Sequence, residues 1–169
     1  MIIQNHAPDE SYSIFQQPWW LEAVAPGMWD EVTIKDQNNT IARWPYIKKK
    51  KYFFDIITLP QLTQHLGPWI KPINGNHSKI LTKQQEIYFE LIESLPSYDF
   101  LKQNFHHSIT NWLPFYWKNY RQTTRYTYIL DNIKNNENIW DNLRQNIRQD
   151  IRKAQKELEV TSNLGIDTL

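Results

Sequence analysis

The sequence predicts a mixed α/β domain, a twisted mixed sheet flanked by helices. Two observations point there. Runs with period-two alternation recur between runs with helical spacing, and an early pair of alternating runs is separated only by a polar turn. The chain also has enough core material. It is 169 residues long, 40% apolar, with 8 Trp, 9 Tyr and 7 Phe, which suits one domain or a little more.

Residues 1–12 are polar and read as a lead-in. Pro18 suits a first helical turn, where a missing N–H costs nothing. Trp19, Trp20, Ala23 and Val24 have helical spacing, and Pro26-Gly27 ends that helix. From Trp29 to Lys35, Val32 and Ile34 alternate with Glu31, Thr33 and Lys35. Asp36-Gln37-Asn38-Asn39 is a turn and Thr40–Tyr46 the return strand, so 29–47 is a hairpin. Four lysines follow, Lys48 to Lys51. Tyr52–Leu59 is β-rich and ends at Pro60, and Gly67-Pro68-Trp69 is a turn. Thr82 and Gln85 form a capping-box pattern. The helix they open places Ile87, Tyr88, Leu91, Ile92 and Leu95 on one face. Tyr98–Phe105 and Arg121–Leu130 are expected as strands, with a short helix and loop over 109–120. A long helix is expected from Asn135 to about Glu157, and Leu158–Thr161 begins another strand. Residues 13–162 form the expected domain. The last residues, 163–169, look like the start of a connection to a further domain.

Composition excludes several classes. Cysteine is absent and glycine numbers only 4. There is therefore no disulfide framework, no thiolate nucleophile and no collagen repeat. Nineteen basic residues stand against 18 acidic ones, without the cationic excess of a nucleic-acid coat. No apolar run approaches the roughly 18 residues of a membrane span, and the N-terminus lacks a signal core. A cytoplasmic protein is expected. Asn and Gln are abundant but dispersed, so no prion-like segment is assigned.

Four features could carry chemistry. On the long helix Arg144, Arg148 and Arg152 stand four apart, a ladder of planar donors suited to phosphate or carboxylate. A solvated cationic face would look the same. Asp150 falls within the apolar arc of that helix. There it either pairs with a neighbouring Arg, Tyr or Trp or faces a substrate cleft. Trp112, Phe115, Tyr116, Trp117 and Tyr120 cluster within nine residues. Core filling is the commoner use of such a cluster, and Trp112 and Trp117 are the candidates for stacking a sugar or base. Lys48–Lys51, with Tyr46 and Tyr52, could follow a phosphate backbone, although lysines also protect a sheet edge from aggregation. His106-His107 is a poor chelate on an extended chain, because neighbours point opposite ways. No metal site is expected. No GxSxG, GxGxxG or GxxxxGK[ST] pattern is present.

Three stretches together resemble one family. Phe15-Gln16-Gln17-Pro18-Trp19-Trp20 resembles the opening of the Fem-type, GNAT-related acyltransferases. Pro60-Gln61-Leu62-Thr63-Gln64-His65-Leu66-Gly67-Pro68 is similar to their proline-to-Gly-Pro segment. Tyr126–Asp131, then Ile139–Leu143, then Arg148-Gln149-Asp150-Ile151-Arg152-Lys153-Ala154-Gln155-Lys156 resembles their strand and following R-x-x-I-R-K-A-x-K helix. The resemblance implies a GNAT-like domain, the first of a tandem pair, in an enzyme moving an acyl or aminoacyl group to an amine or hydroxyl of a cell-envelope or polysaccharide precursor. Arg144, Arg148 and Arg152 would then face an anionic substrate, while no residue is assigned as the base. The donor implied for a complete protein is acyl-CoA or aminoacyl-tRNA, and no nucleic acid other than tRNA is expected as a partner. No cofactor is expected in this chain. It lacks the Q/R-x-x-G-x-G/A pyrophosphate turn and carries Val24 where bridge-forming members have a lysine. By itself it is expected to be inactive and not to bind acetyl-CoA. The alternative is a non-catalytic module binding carbohydrate or single-stranded RNA on its Trp/Tyr-rich surface.

Overall fold

The computed structural model describes residues 10–130, 134 and 136–160. It is a mixed α/β structure built on a five-stranded sheet. The chain divides into two compact units, the first ending at Gln122 and the second beginning at Thr123. The boundary falls inside the 13–162 span read as one domain.

The first unit opens with a 3-10 turn, Ile14–Gln16, and helix α1, Pro18–Val24, with proline in its first turn. Strands β1 (Trp29–Asp36) and β2 (Asn39–Lys51) form the expected antiparallel hairpin. The lysine run belongs to β2 and pairs antiparallel with β3 (Phe54–Thr58). The pairing of β1 with β2 stops at Trp29 and Ile47. Lys48–Lys51 therefore run beyond β1 with one edge open, as lysines at a sheet edge do. The Gly67-Pro68-Trp69 stretch contains a short strand that the turn signals hid. Here β4 (Trp69–Ile70) pairs with Ala42 and Arg43 of β2.

Helix α2 spans His77–Ser94. It starts ahead of the expected Thr82 cap because Asn76 supplies the cap, its side chain accepting from the Lys79 N–H at 2.9 Å. Thr82 sits inside the helix. The predicted face is correct: Ile87, Tyr88, Leu91 and Ile92 are buried, with Leu95 beyond them. They pack with Ile34, Ala42, Trp44, Tyr46, Ile57, Ile70 and Phe115 in one cluster. The helix carries the chain over to β5 (Phe100–Leu101), which lies parallel to β3. A parallel partner requires such a crossover. The sheet order is β1-β2-β3-β5, with β4 on β2.

Side chains alternate across a strand, so Arg43, Pro45 and Ile47 lie on the sheet face opposite Trp44 and Tyr46. Arg43 is wholly buried there. Its guanidinium holds Glu31 of β1 through Nη2 at 2.5 Å and Nε at 2.8 Å, and Nη1 donates to the Glu10 carbonyl at 3.3 Å. Residues 10–12 are thus part of the fold and not only a lead-in. Helix α3, Leu113–Trp117, packs against α2.

The second unit differs more from expectation. Residues 121–130 form no strand, and those from 123 are exposed. The Thr- and Tyr-rich composition suits a strand, but β propensity acts through packing against neighbours. The long helix is two: α4, Asn136–Asn142, and α5, Gln145–Glu157. Asn142, a poor helix former, ends the first, and Arg144 is extended with φ −60° and ψ 147°. Leu158–Val160 are not a strand, and the rest of that expected strand, with residues 163–169, lies outside the described residues.

Candidate functional site

In the first unit, segments far apart in sequence are bonded into one surface. Gln16, fully buried at the end of the 3-10 turn, accepts the Tyr12 N–H at 2.8 Å and donates through Nε2 to the Gly67 carbonyl at 2.8 Å. Trp20 of α1 donates its indole N–H to Thr63 at 3.1 Å. The 60–67 loop is fastened in turn to the chain leaving β5. The Leu66 N–H donates to the Asn104 carbonyl, and the Asn104 amide donates to the Gln64 carbonyl, each at 2.8 Å. Gly67 has φ +98°, and a Cβ there would be driven into the Phe105 ring. Only glycine gives both the left-handed backbone and that close approach.

These bonds bring three imidazoles together. The His65 and His106 ring centroids are 4.9 Å apart, and those of His106 and His107 are 4.0 Å apart. Tyr12 stacks on His106 at 5.1 Å and 17°, and Phe15 meets His65 edge-on at 5.1 Å. The Tyr12 hydroxyl is tied to the backbone of Ile70, donating to its carbonyl at 3.2 Å. The expectation that His106 and His107 point apart fails because 102–107 is not a strand, so the alternation rule does not apply there.

Burial sets the protonation state. It pushes His106 down to about 4, with the neighbouring His107 and His65 adding to the effect. Burial, followed by His107, also lowers His65. Both rings are therefore uncharged at pH 7. His106 accepts the Ser108 N–H on Nδ1 at 3.2 Å, which places its own proton on Nε2. His65 Nδ1 is buried with no hydrogen-bond partner among the described residues. An imidazole near pH 4 is too weak a base to deprotonate an amine at neutral pH. The group can instead take or give hydrogen bonds to a hydroxyl or amine against an aromatic wall. His65 meets His106 edge-on at 66° and His107 lies tilted against His106 at 40°, and among the described residues no cluster of three or more metal-ligating groups is found.

The residues singled out from the sequence fall elsewhere. Trp112 is half-buried and stacks on Phe115 at 5.0 Å and 17°, so it fills the core. Trp117 is exposed and stacks on Phe89 at 5.9 Å and 15°. The arginine ladder loses a rung. Arg144 stands before α5, leaving Arg148 and Arg152 one turn apart on it, and the Arg152 guanidinium lies over Trp140 at 5.3 Å. Asp150 is exposed, and no residue of α5 is buried. Sequence reasoning missed His65 and Tyr12. The signal for His65 was present, since it sits in the Pro60–Pro68 stretch. Comparison with protein-family models, curated proteins and solved structures finds no match to the chain.

Proposed function

We propose that the first unit is the acceptor-binding part of a Fem/GNAT-like acyltransferase, holding the hydroxyl or amine of a polysaccharide or cell-envelope precursor. The observation that carries this reading is the bond between Gln16 and Gly67, 51 residues apart. It joins two of the stretches in which the resemblance lies and seats them beside His65 and His106. The sheet also supports it, since an antiparallel meander followed by a helical crossover to a parallel strand is a mixed sheet of the kind the resemblance implies. In transfer to an amine or hydroxyl, much of the catalytic advantage comes from orienting the acceptor. Two neutral imidazoles can do that without repelling an ammonium. Tyr12 and Phe15 would hold the apolar face of a sugar. Acyl-CoA or aminoacyl-tRNA would be the donor, bound outside this unit.

Calorimetry tests the reading with free and nucleotide-linked amino sugars as acceptors. Saturable binding is expected, weakened about tenfold in His65→Asn or His106→Asn by a lost hydrogen bond of about 1 kcal/mol or more, and unchanged in Trp117→Ala. Acetyl-CoA should give no heat with this chain. Binding lost in Trp117→Ala but kept in both histidine variants would instead favour a carbohydrate module on the α3 surface.

A further inference from the structure

The β2–β3 hairpin ends in a two-residue turn, Tyr52-Phe53, and Tyr52 is held at φ +58°. Tight hairpin turns with a positive φ favour Gly, Asn or Asp, and a bulky aromatic there is strained. The tip nevertheless carries two aromatics, with Tyr52 85% and Phe53 95% exposed. The strands below extend the pattern. Lys51 stands opposite Phe54, and Lys49 opposite Ile56, which in turn pairs with Phe100 of β5. Cross-strand partners share a face. One face therefore carries Phe54 (57% exposed), Phe100 (54% exposed), Lys49 and Lys51. On the other face Lys48 pairs with Asp55 at 3.1 Å, beside Lys50. Between residues 48 and 55 four lysines face one aspartate. Among the described residues no carboxylate pairs with Lys49, Lys50 or Lys51.

From this arrangement we propose that the β2–β3 hairpin docks the protein on an anionic lipid surface, with Tyr52 and Phe53 entering the interfacial layer and Lys49, Lys50 and Lys51 meeting the headgroups. Exposed apolar rings ringed by lysine are the two components of peripheral attachment, apolar burial and attraction to negative charge. Aromatics prefer the headgroup level, where one end is apolar and the other wet. Attachment of this kind needs no spanning segment, and no helix among the described residues is long and apolar enough to cross a membrane.

The test is co-sedimentation of the whole chain with vesicles of phosphatidylcholine alone or mixed with phosphatidylglycerol. Binding is expected to the mixed vesicles only, and to fall as salt rises. Lys49→Gln with Lys51→Gln leaves the turn intact and should reduce partitioning roughly 25-fold, about fivefold per lysine. Tyr52→Asn with Phe53→Gly supplies a favoured turn, so the hairpin is kept, and should reduce it by about tenfold or more. Equal partitioning to both vesicle types, or partitioning unchanged in both variants, overturns the proposal. It is also overturned if oligouridylate binds through these residues while vesicles do not, or if the tip mediates a dimer that Phe53→Gly dissolves.

Discussion

Gln16→Leu tests whether the site is held together as described. The substitution nearly conserves volume, so it leaves no large cavity, and its effect should come from polar groups. In the wild type, Gln16 satisfies the Tyr12 N–H and the Gly67 carbonyl, each at 2.8 Å. With leucine both lose their partner. Gly67 is buried, so its carbonyl bears most of a desolvation penalty of about 1–3 kcal/mol. Tyr12 is only partly buried, so water can replace part of what it loses. A total of about 2–4 kcal/mol follows, a large fraction of the stability of a domain this size. At a urea m-value of about 1.5 kcal/mol/M the midpoint should fall by about 1.3–2.7 M, with m itself unchanged. Urea unfolding followed by far-UV circular dichroism and Trp fluorescence reads this directly. A loss below about 0.5 kcal/mol would refute the placement of Gln16 as the fastening between the 3-10 turn and the 60–67 loop.

Two further outcomes follow from the same surface. Gly67→Ala meets both the +98° φ and the Phe105 ring; it should destabilise by about 2 kcal/mol or more, read as a drop in Tm, and Phe105→Leu in the same chain should recover part of it. The third outcome concerns pH. His106 lies at about 4 in the fold against an ordinary 6.5, so the unfolded chain binds the extra proton first. Its contribution is complete above pH 6.5 and is lost as pH falls from 6.5 towards 4. The slope from this one proton cannot exceed about 1.4 kcal/mol per pH unit and is reduced by the ring's partial exposure. His106→Asn should flatten the Tm profile in that window and leave it unchanged above pH 7.

The sheet and its core were legible because they follow from local periodicity. The alternation in Trp29–Lys35 and Thr40–Tyr46 and the arc Ile87/Leu91/Ile92 need nothing beyond their own neighbours. Other elements depend on partners distant in sequence. Trp69–Ile70 becomes a strand only because Ala42 and Arg43 offer an open edge, and Arg121–Leu130 has strand composition but forms no strand. Helix ends depend on single caps, which is why Asn76 displaced Thr82. The imidazole group was the hardest to foresee. Its members come from two loops with no periodicity, and the bonds of Asn104 to Leu66 and Gln64 bring those loops together.

In the function proposed above, His65 and His106 form one uncharged pair facing an acceptor. Long-range 15N spectra of the imidazoles at pH 7 read both the charge and the contact. Both rings should show the neutral pattern, His106 with its proton on Nε2, and both should shift saturably when an amino-sugar acceptor is titrated in, while His77 stays still. A charged pattern at pH 7 for either ring, or ring signals unmoved by every acceptor, would contradict that role for the pair.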